Sequence, residues 1–499
     1  MRQSFFCALS VSFLTLSLSA QLAPELDAYI DNARKQASVP GLTVTIVRDG
    51  KLVAAKGYGV RRHGSPEVVD EHTLFDIASI SKSFTAAAIA TLVDEGKMGW
   101  NDPLHRWLPQ VEFSDPYRTA TVTIRDLLSH RVGVEQGNFV MRFTNYDTAE
   151  VLRRMRYLKE RDAFRTSMVY SNIGYAAAAE AAAAAAKMPF ADLVRTRLIE
   201  PLGMRESTVG VHHTLAANHA TSHARVGNQV TPIRTKKLMN VLGANAVNST
   251  AHDMTKWLLF SLGDGTWEGR KIISPEAMSE MQSPQNIIPT TPQMRAARGV
   301  HYFAAYGLGW QVMDFQGHKM LWHSGSADGM PVYMAILPVE KIGVAVMTNS
   351  WEAGTLHGAL AARIFDTLLG NPPRDWAKET HESGMRALER ALAERAATEK
   401  ARIPDTKPSR PLEAYAGTYV DPLHGDLVIT HEQGKLTFVF AGGEAATLEH
   451  WHHDVFQLRW TDRANDWADT LIAFGLDVNA VPRRLEMTLG RDRIEAVRR

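Results

Sequence analysis

The sequence predicts a mixed α+β chain that ends in a separate all-β unit. Three observations lead there. Strand-like runs occur at 39–60 and return after 306, a helix-rich stretch from about 120 to 290 lies between them, and residues 411–499 alternate in strand fashion with short turns. At 499 residues the chain is too long for one compact core, so two or three domains are expected.

The chain opens with Arg2 and the apolar run FFCALSVSFLTLSL, which is short and serine-rich for a membrane span. It closes in LSAQ, with small residues where a signal peptidase cuts. Residues 1–20 therefore read as a secretory signal, which predicts a periplasmic or secreted protein with no stable membrane span after cleavage. The only cysteine, Cys7, lies within that signal, so the mature chain has no disulfide, thiol catalyst or cysteine-held metal.

VPGLTVTIVRDGKLVAAKGYGV (39–60) reads as two strands joined at the turn RDG. Residues 79–95 read as a helix that stops at Gly96. In the helix-rich middle, YAAAAEAAAAAAKM (175–188) is almost pure alanine, which favours helix and close packing. From 306, YGLGWQVMDFQGHKMLWHSG and MPVYMAILPVEKIGVAVMTNS read as strands turning at QGHK and PVEKIG. Residues 373–410, a charged helix followed by IPDTKPSRP, read as a linker. The last unit, 411–499, reads as a small antiparallel barrel or sandwich.

The formal charge is +1, without a basic block, so binding of nucleic acid through counterion release is not expected. Chemistry is suggested instead by FDIASISKSFTAA (75–87). Positions three apart share a helix face, which puts the Lys82 ammonium within reach of the Ser79 hydroxyl. Serine is a poor nucleophile until a base takes its proton. A lysine among FDIA and FTAAAIA is partly desolvated, and that lowers its pKa toward the range of a working base. Ser79 is the only serine with a lysine three residues later, and neither G-x-S-x-G nor H-E-x-x-H occurs. Taken alone, the pair also fits a helix cap with a snorkelling lysine.

Tyr170-Ser171-Asn172 in VYSNIGY and His323-Ser324-Gly325 in WHSGSADG complete a set with SISK. Together these elements resemble the signatures of the serine β-lactamase and penicillin-binding-protein superfamily, most closely its class C β-lactamase, DD-peptidase and family VIII esterase branch. VPGLTVTIVRDGK, LLSHRVGV (127–134), NSTAHDMTKWL (248–258) and YGLGW (306–310) extend the likeness over about 24–370, in the family's order.

The resemblance implies an α/β sandwich, with an antiparallel sheet flanked by helices and built from about 21–125 and 295–370. An all-helical domain is inserted at about 126–294, and the site lies in the cleft. The C-terminal unit resembles the lipocalin-like β-domains appended to some of these hydrolases. By similarity Ser79 becomes acylated, Lys82 bonds to it, and Tyr170 exchanges protons with nucleophile and leaving group; the choice of base between Lys82 and Tyr170 stays open. Asn172 would hold the substrate amide or the lysine. His323, Ser324 and Gly325 would lie on the sheet's edge strand, with Gly325 admitting a substrate backbone. The amides of Ser79 and Ser326 would form the oxyanion hole. The family often has lysine where His323 stands, and a mostly neutral histidine holds a carboxylate less firmly. Ala78 replaces a glycine that often precedes the nucleophile.

The resemblance points to an exported serine hydrolase acting on D-amino-acid peptides or small esters and amides, without metal or cofactor. The alternatives are a class C-type β-lactamase and a catalytically weak penicillin-binding sensor or assembly protein. A homo-oligomer is compatible with either. Histidines 212, 213, 219 and 223, and the 452–454 cluster, read as surface loops before metal ligands. FVMRF (139–143) and RRMRYLKERDAFR (153–165) read as solvated faces before an arginine-lined cleft.

Overall fold

The computed structural model describes residues 22–292, 302–462, 465, 470–490 and 492–499. The expected signal lies outside them. Helix α1 (Pro24–Gln36) leads into strands β1 (Gly41–Arg48) and β2 (Lys51–Gly59). The RDG turn forms as expected: Asp49 and Gly50 both take positive φ, 49° and 74°, which suits a two-residue hairpin with strand twist.

Helices α2 (Ser81–Asp94), α3 (Asn172–Ala186) and α4 (Ala251–Leu262) follow. Strands β3 (Asn286–Ile288), β4 (Ala304–Tyr306), β5 (Gln311–Phe315), β6 (His318–Ala327), β7 (Met330–Leu337) and β8 (Ile342–Thr348) come next, and then helix α5 (Leu356–Leu369). The eight strands form one antiparallel sheet in the order β3-β4-β5-β6-β7-β8-β1-β2, so the N-terminal hairpin is zipped to β8 from Leu42↔Thr348 to Arg48↔Ile342. Helices α1 and α5 bury one face of this sheet, around Ile30, Leu42, Val344 and Phe365. The other face shares a larger core with α2, α3 and α4.

The middle region is helix-rich but not all-helical, since it also carries the hairpin His223–Val226/Gln229–Pro232. Helix α2 is buried from Ser81 to Leu92, as expected of a helix that is apolar nearly all round. The alanine run explains how α3 packs: a Cβ on Gly243 would sit 2.1 Å from the Tyr175 carbonyl oxygen and 2.7 Å from Ala179 Cβ, so backbones are almost in contact.

Helix α6 (Trp376–Lys400) is 25 residues long and, past Trp376 and Ala377, largely exposed. It runs to a closed eight-stranded barrel, β9 (Gly417–Asp421), β10 (Gly425–Glu432), β11 (Lys435–Phe440), β12 (Ala445–His452), β13 (Val455–Trp460), β14 (Thr470–Leu476), β15 (Pro482–Leu489) and β16 (Asp492–Arg498). Tyr415, Tyr419, Phe438, Phe440 and Phe456 fill its core. Phe139 and Phe143 of the helical region join that same core, with the Phe143 ring stacked on Trp460 at 4.7 Å. No helix among the described residues is long and apolar enough to cross a membrane.

Candidate active site

Ser79 sits in a 3₁₀ turn, Ala78–Ile80, directly ahead of α2. Ala78 takes φ of 44°, left-handed backbone that costs an L-residue about 1–2 kcal/mol. This is the physical reason a glycine suits the position. The turn is held in place by Asp76, whose Oδ1 accepts from the Ala78 amide at 2.8 Å while Oδ2 accepts from Lys237 Nζ at 3.1 Å. That ion pair is almost wholly buried.

Lys82 has no accessible surface, and its Nζ donates to Ser79 Oγ at 2.9 Å and to Asn172 Oδ1 at 2.7 Å. It also lies over the Tyr170 ring, 4.8 Å from the centroid. No carboxylate pairs with it among the described residues, and burial holds its pKa well below the ordinary lysine value. Tyr170 moves the other way: burial raises its phenol above the usual 10.0, and the Ser79 hydroxyl opposes that only in part. Both groups therefore tend toward neutrality, an amine beside a phenol. Asn172 is placed in turn by Asn138, whose Oδ1 accepts from Nδ2 at 3.2 Å.

The edge-strand expectation for His323-Ser324-Gly325 is corrected by the sheet order. Strand β6 is not an edge strand of the sheet; it runs between β5 and β7. Its pairing with β5 ends at Trp322, however, while pairing with β7 continues to Ala327, so the half carrying His323 to Ser326 is open on one side. Gly325 lies against the nucleophile turn. A Cβ there would meet Ile77 O at 2.6 Å and Ser79 N at 2.9 Å, so the nucleophile turn itself needs a glycine at this position. Ser324 is partly exposed and Ser326 exposed, on the strand that touches Ser79.

His323 is 2% exposed. Its Nδ1 donates to the Ser324 carbonyl at 2.6 Å, which leaves Nε2 to accept from the Tyr306 hydroxyl at 2.8 Å. Burial pushes its pKa down to about 3, so the ring is neutral.

Several supporting residues were not assigned roles from sequence. His130, from LLSHRVGV, accepts the Ser171 amide on Nδ1 at 3.0 Å and packs its ring 4.3 Å from Tyr170. Tyr306, from YGLGW, orders His323; in the same motif Gly309 (φ 80°) lies so close to α2 that a Cβ would meet the Lys82 carbonyl oxygen at 2.5 Å. The quoted motifs were the signal, but their long-range partners were not visible in them. Trp322 is buried and stacked on Tyr333, a sheet-core residue.

Five arginines of the 139–143 and 153–165 runs are already paired with carboxylates. Arg142 pairs with Asp328, Arg153 and Arg154 with Glu150, Arg156 with Glu112 and Arg165 with Asp126. His212, His213, His219 and His223 each contact a different backbone carbonyl, so their rings are committed separately.

A serine whose hydroxyl meets a desolvated, unpaired lysine, with a neutral tyrosine alongside, is the arrangement of a serine hydrolase built for acyl transfer. Residues 26–369 match the Beta-lactamase family, and the chain belongs to it. Residues 401–496 match a second family, described as a domain of unknown function (DUF3471). The chain is 27% identical over 417 residues to the unguisins hydrolase of Aspergillus campestris, covering 80% of this chain and 76% of that one. It is 25% identical over 350 residues to penicillin-binding protein 4 of Amycolatopsis lactamdurans, covering 68% and 88%. Its fold is similar to that of an octameric penicillin-binding protein homologue from Pyrococcus abyssi, with TM-score 0.62, 20% identity, and coverage of 94% of this chain and 99% of that one.

Proposed function

We propose that this serine hydrolase is exported and cleaves D-amino-acid peptides or small esters and amides through an acyl enzyme on Ser79. The observation that carries the reading is the 2.9 Å contact of Lys82 Nζ with Ser79 Oγ, made by a buried amine with no acidic partner among the described residues. Lys82, neutral, accepts the Ser79 proton as Oγ adds to the substrate carbonyl. The amides of Ser79 and Ser326 face the oxyanion. The protonated Lys82 and the Tyr170 phenol relay a proton to the leaving group, whose departure yields the acyl-serine; water then enters by the reverse sequence. Asn172 keeps Lys82 on this line, and the raised phenol pKa favours Lys82 over Tyr170 as the base.

The neutral, internally bonded His323 supplies no cation for a substrate carboxylate. That favours uncharged esters, amides and internal peptide bonds over the carboxylate-bearing bicyclic ring of a β-lactam. The relative named as an unguisins hydrolase is in keeping with a hydrolase. Export rests on the first apolar run and LSAQ.

The test follows p-nitrophenol release from a short-chain ester by the mature protein and by Ser79→Ala. The variant is expected to lose release, with D-amino peptides turned over faster than β-lactams by the parent enzyme. Equal rates in the two proteins would remove Ser79 as nucleophile and move the binding-protein reading forward. N-terminal sequencing of exported protein checks cleavage near residue 20.

A further inference from the structure

The geometry points to a divalent-cation site, away from the Ser79–Lys82 cluster, formed by His72, Glu206 and His252. Three separate segments deliver these side chains: the loop before Phe75, the turn before Ser207, and the first turn of α4. Their ligand atoms all lie within 4.8 Å of one another, the one such group of three or more potential ligand residues among the described residues.

Both Glu206 oxygens take part. Oε1 is 2.8 Å from His72 Nδ1, and Oε2 is 3.6 Å from His252 Nδ1. The His252 nitrogen is the telling atom. It is buried although the ring is not, and no hydrogen bond reaches it. Its two nearest acidic oxygens, Glu206 Oε2 at 3.6 Å and Asp253 Oδ1 at 3.4 Å, are too far for a good one. Those separations suit two ligands on one ion, because ligand bonds near 2.1 Å at tetrahedral angles place neighbouring ligand atoms about 3.4 Å apart. The shorter His72–Glu206 contact is a hydrogen bond that an ion would replace.

The frame stands without the ion. Thr250 Oγ1 donates to Glu206 Oε2 at 2.8 Å, the Glu206 amide donates to Asp253 Oδ2 at 2.8 Å, and the His252 amide donates to the Glu71 carbonyl at 2.9 Å. Ordered partners of this kind orient metal ligands before binding. Two imidazole nitrogens and one carboxylate select a zinc-like ion over calcium or magnesium, with water completing the shell on the exposed side. Bound there, the ion would cross-link the loop that leads through Phe75 and Asp76 to the Ser79 turn onto the start of α4, and so stabilise the folded state.

The experiment titrates Zn²⁺ into chelator-stripped full-length mature protein by calorimetry, alongside thermal unfolding. One equivalent is expected to bind in the micromolar range or tighter and to raise Tm. His72→Gln and His252→Gln, both at surface positions, should each weaken binding at least tenfold and remove the Tm rise while leaving the metal-free Tm near that of the parent. Absence of saturable uptake, or uptake that survives either substitution, would overturn the site; the second result would mean that other histidines captured the ion.

Discussion

The Lys82 amine lies 2.9 Å from Ser79 Oγ with no carboxylate paired to it among the described residues, and burial lowers its pKa. Hydrolysis should therefore depend on the free amine. The rate of ester cleavage is expected to fall as pH drops through the lowered Lys82 pKa and to hold on the alkaline side of it. Lys82→Ala should lose about 10²–10⁴-fold in kcat, and His323→Gln should keep the acid limb, since His323 does not titrate above about 3. A limb that moves with His323→Gln would show that the wrong group has been assigned.

Gly325 carries a steric prediction. Gly325→Ala places a methyl against Ile77 O and Ser79 N, both backbone atoms, and neither can swing aside. Strand β6 or the nucleophile turn has to shift, and a misplacement of about 1 Å can cost about 100-fold in rate. Steady-state kinetics should show the loss chiefly in kcat. An unchanged kcat would mean that the turn is not held against the strand.

The buried Asp76–Lys237 pair predicts a stability effect that reaches the site. Lys237→Met leaves Asp76 without its counter-charge and should destabilise by about 3–5 kcal/mol, as read from a urea unfolding midpoint. Replacing both residues by apolar ones should recover stability without recovering activity, because Asp76 also holds the Ala78 amide at 2.8 Å.

Buried neutral histidines make stability depend on pH. Burial lowers His213 and His357 to about 4 and His323 to about 3, against 6.5 in the open chain. The unfolded chain therefore takes up these protons first as pH falls. Stability is complete above about 6.5 and declines toward about 4. The urea midpoint should already drop between about pH 7 and pH 5, above the range where carboxylates titrate. A flat midpoint across that interval would contradict the buried, neutral assignment.

What was legible in the sequence was local. Asp49-Gly50 announces its hairpin, Ser79 and Lys82 share a helix face by spacing, and alternation in 411–499 announces strands. Partnerships across long separations were hidden: Lys237 meets Asp76 from 161 positions away, and His130 meets Ser171 from 41. Strand register was hidden as well, so the half-open state of β6 beyond Trp322 could not be told from a true edge. His72, Glu206 and His252 form no spaced motif for the same reason; only the fold makes them neighbours.

The shared core of Phe139, Phe143 and the barrel sets a limit on modularity. The two family matches part between residues 369 and 401 in the chain, but the physical border runs through side chains at 139–143, beside the Asn138 that steadies Asn172. A barrel swapped in from a relative would arrive without the matching aromatic plug. Recombination can move the barrel only if the short stretch inside the hydrolase region travels with it, which couples the evolution of a surface appendage to that of the nucleophile's own neighbourhood.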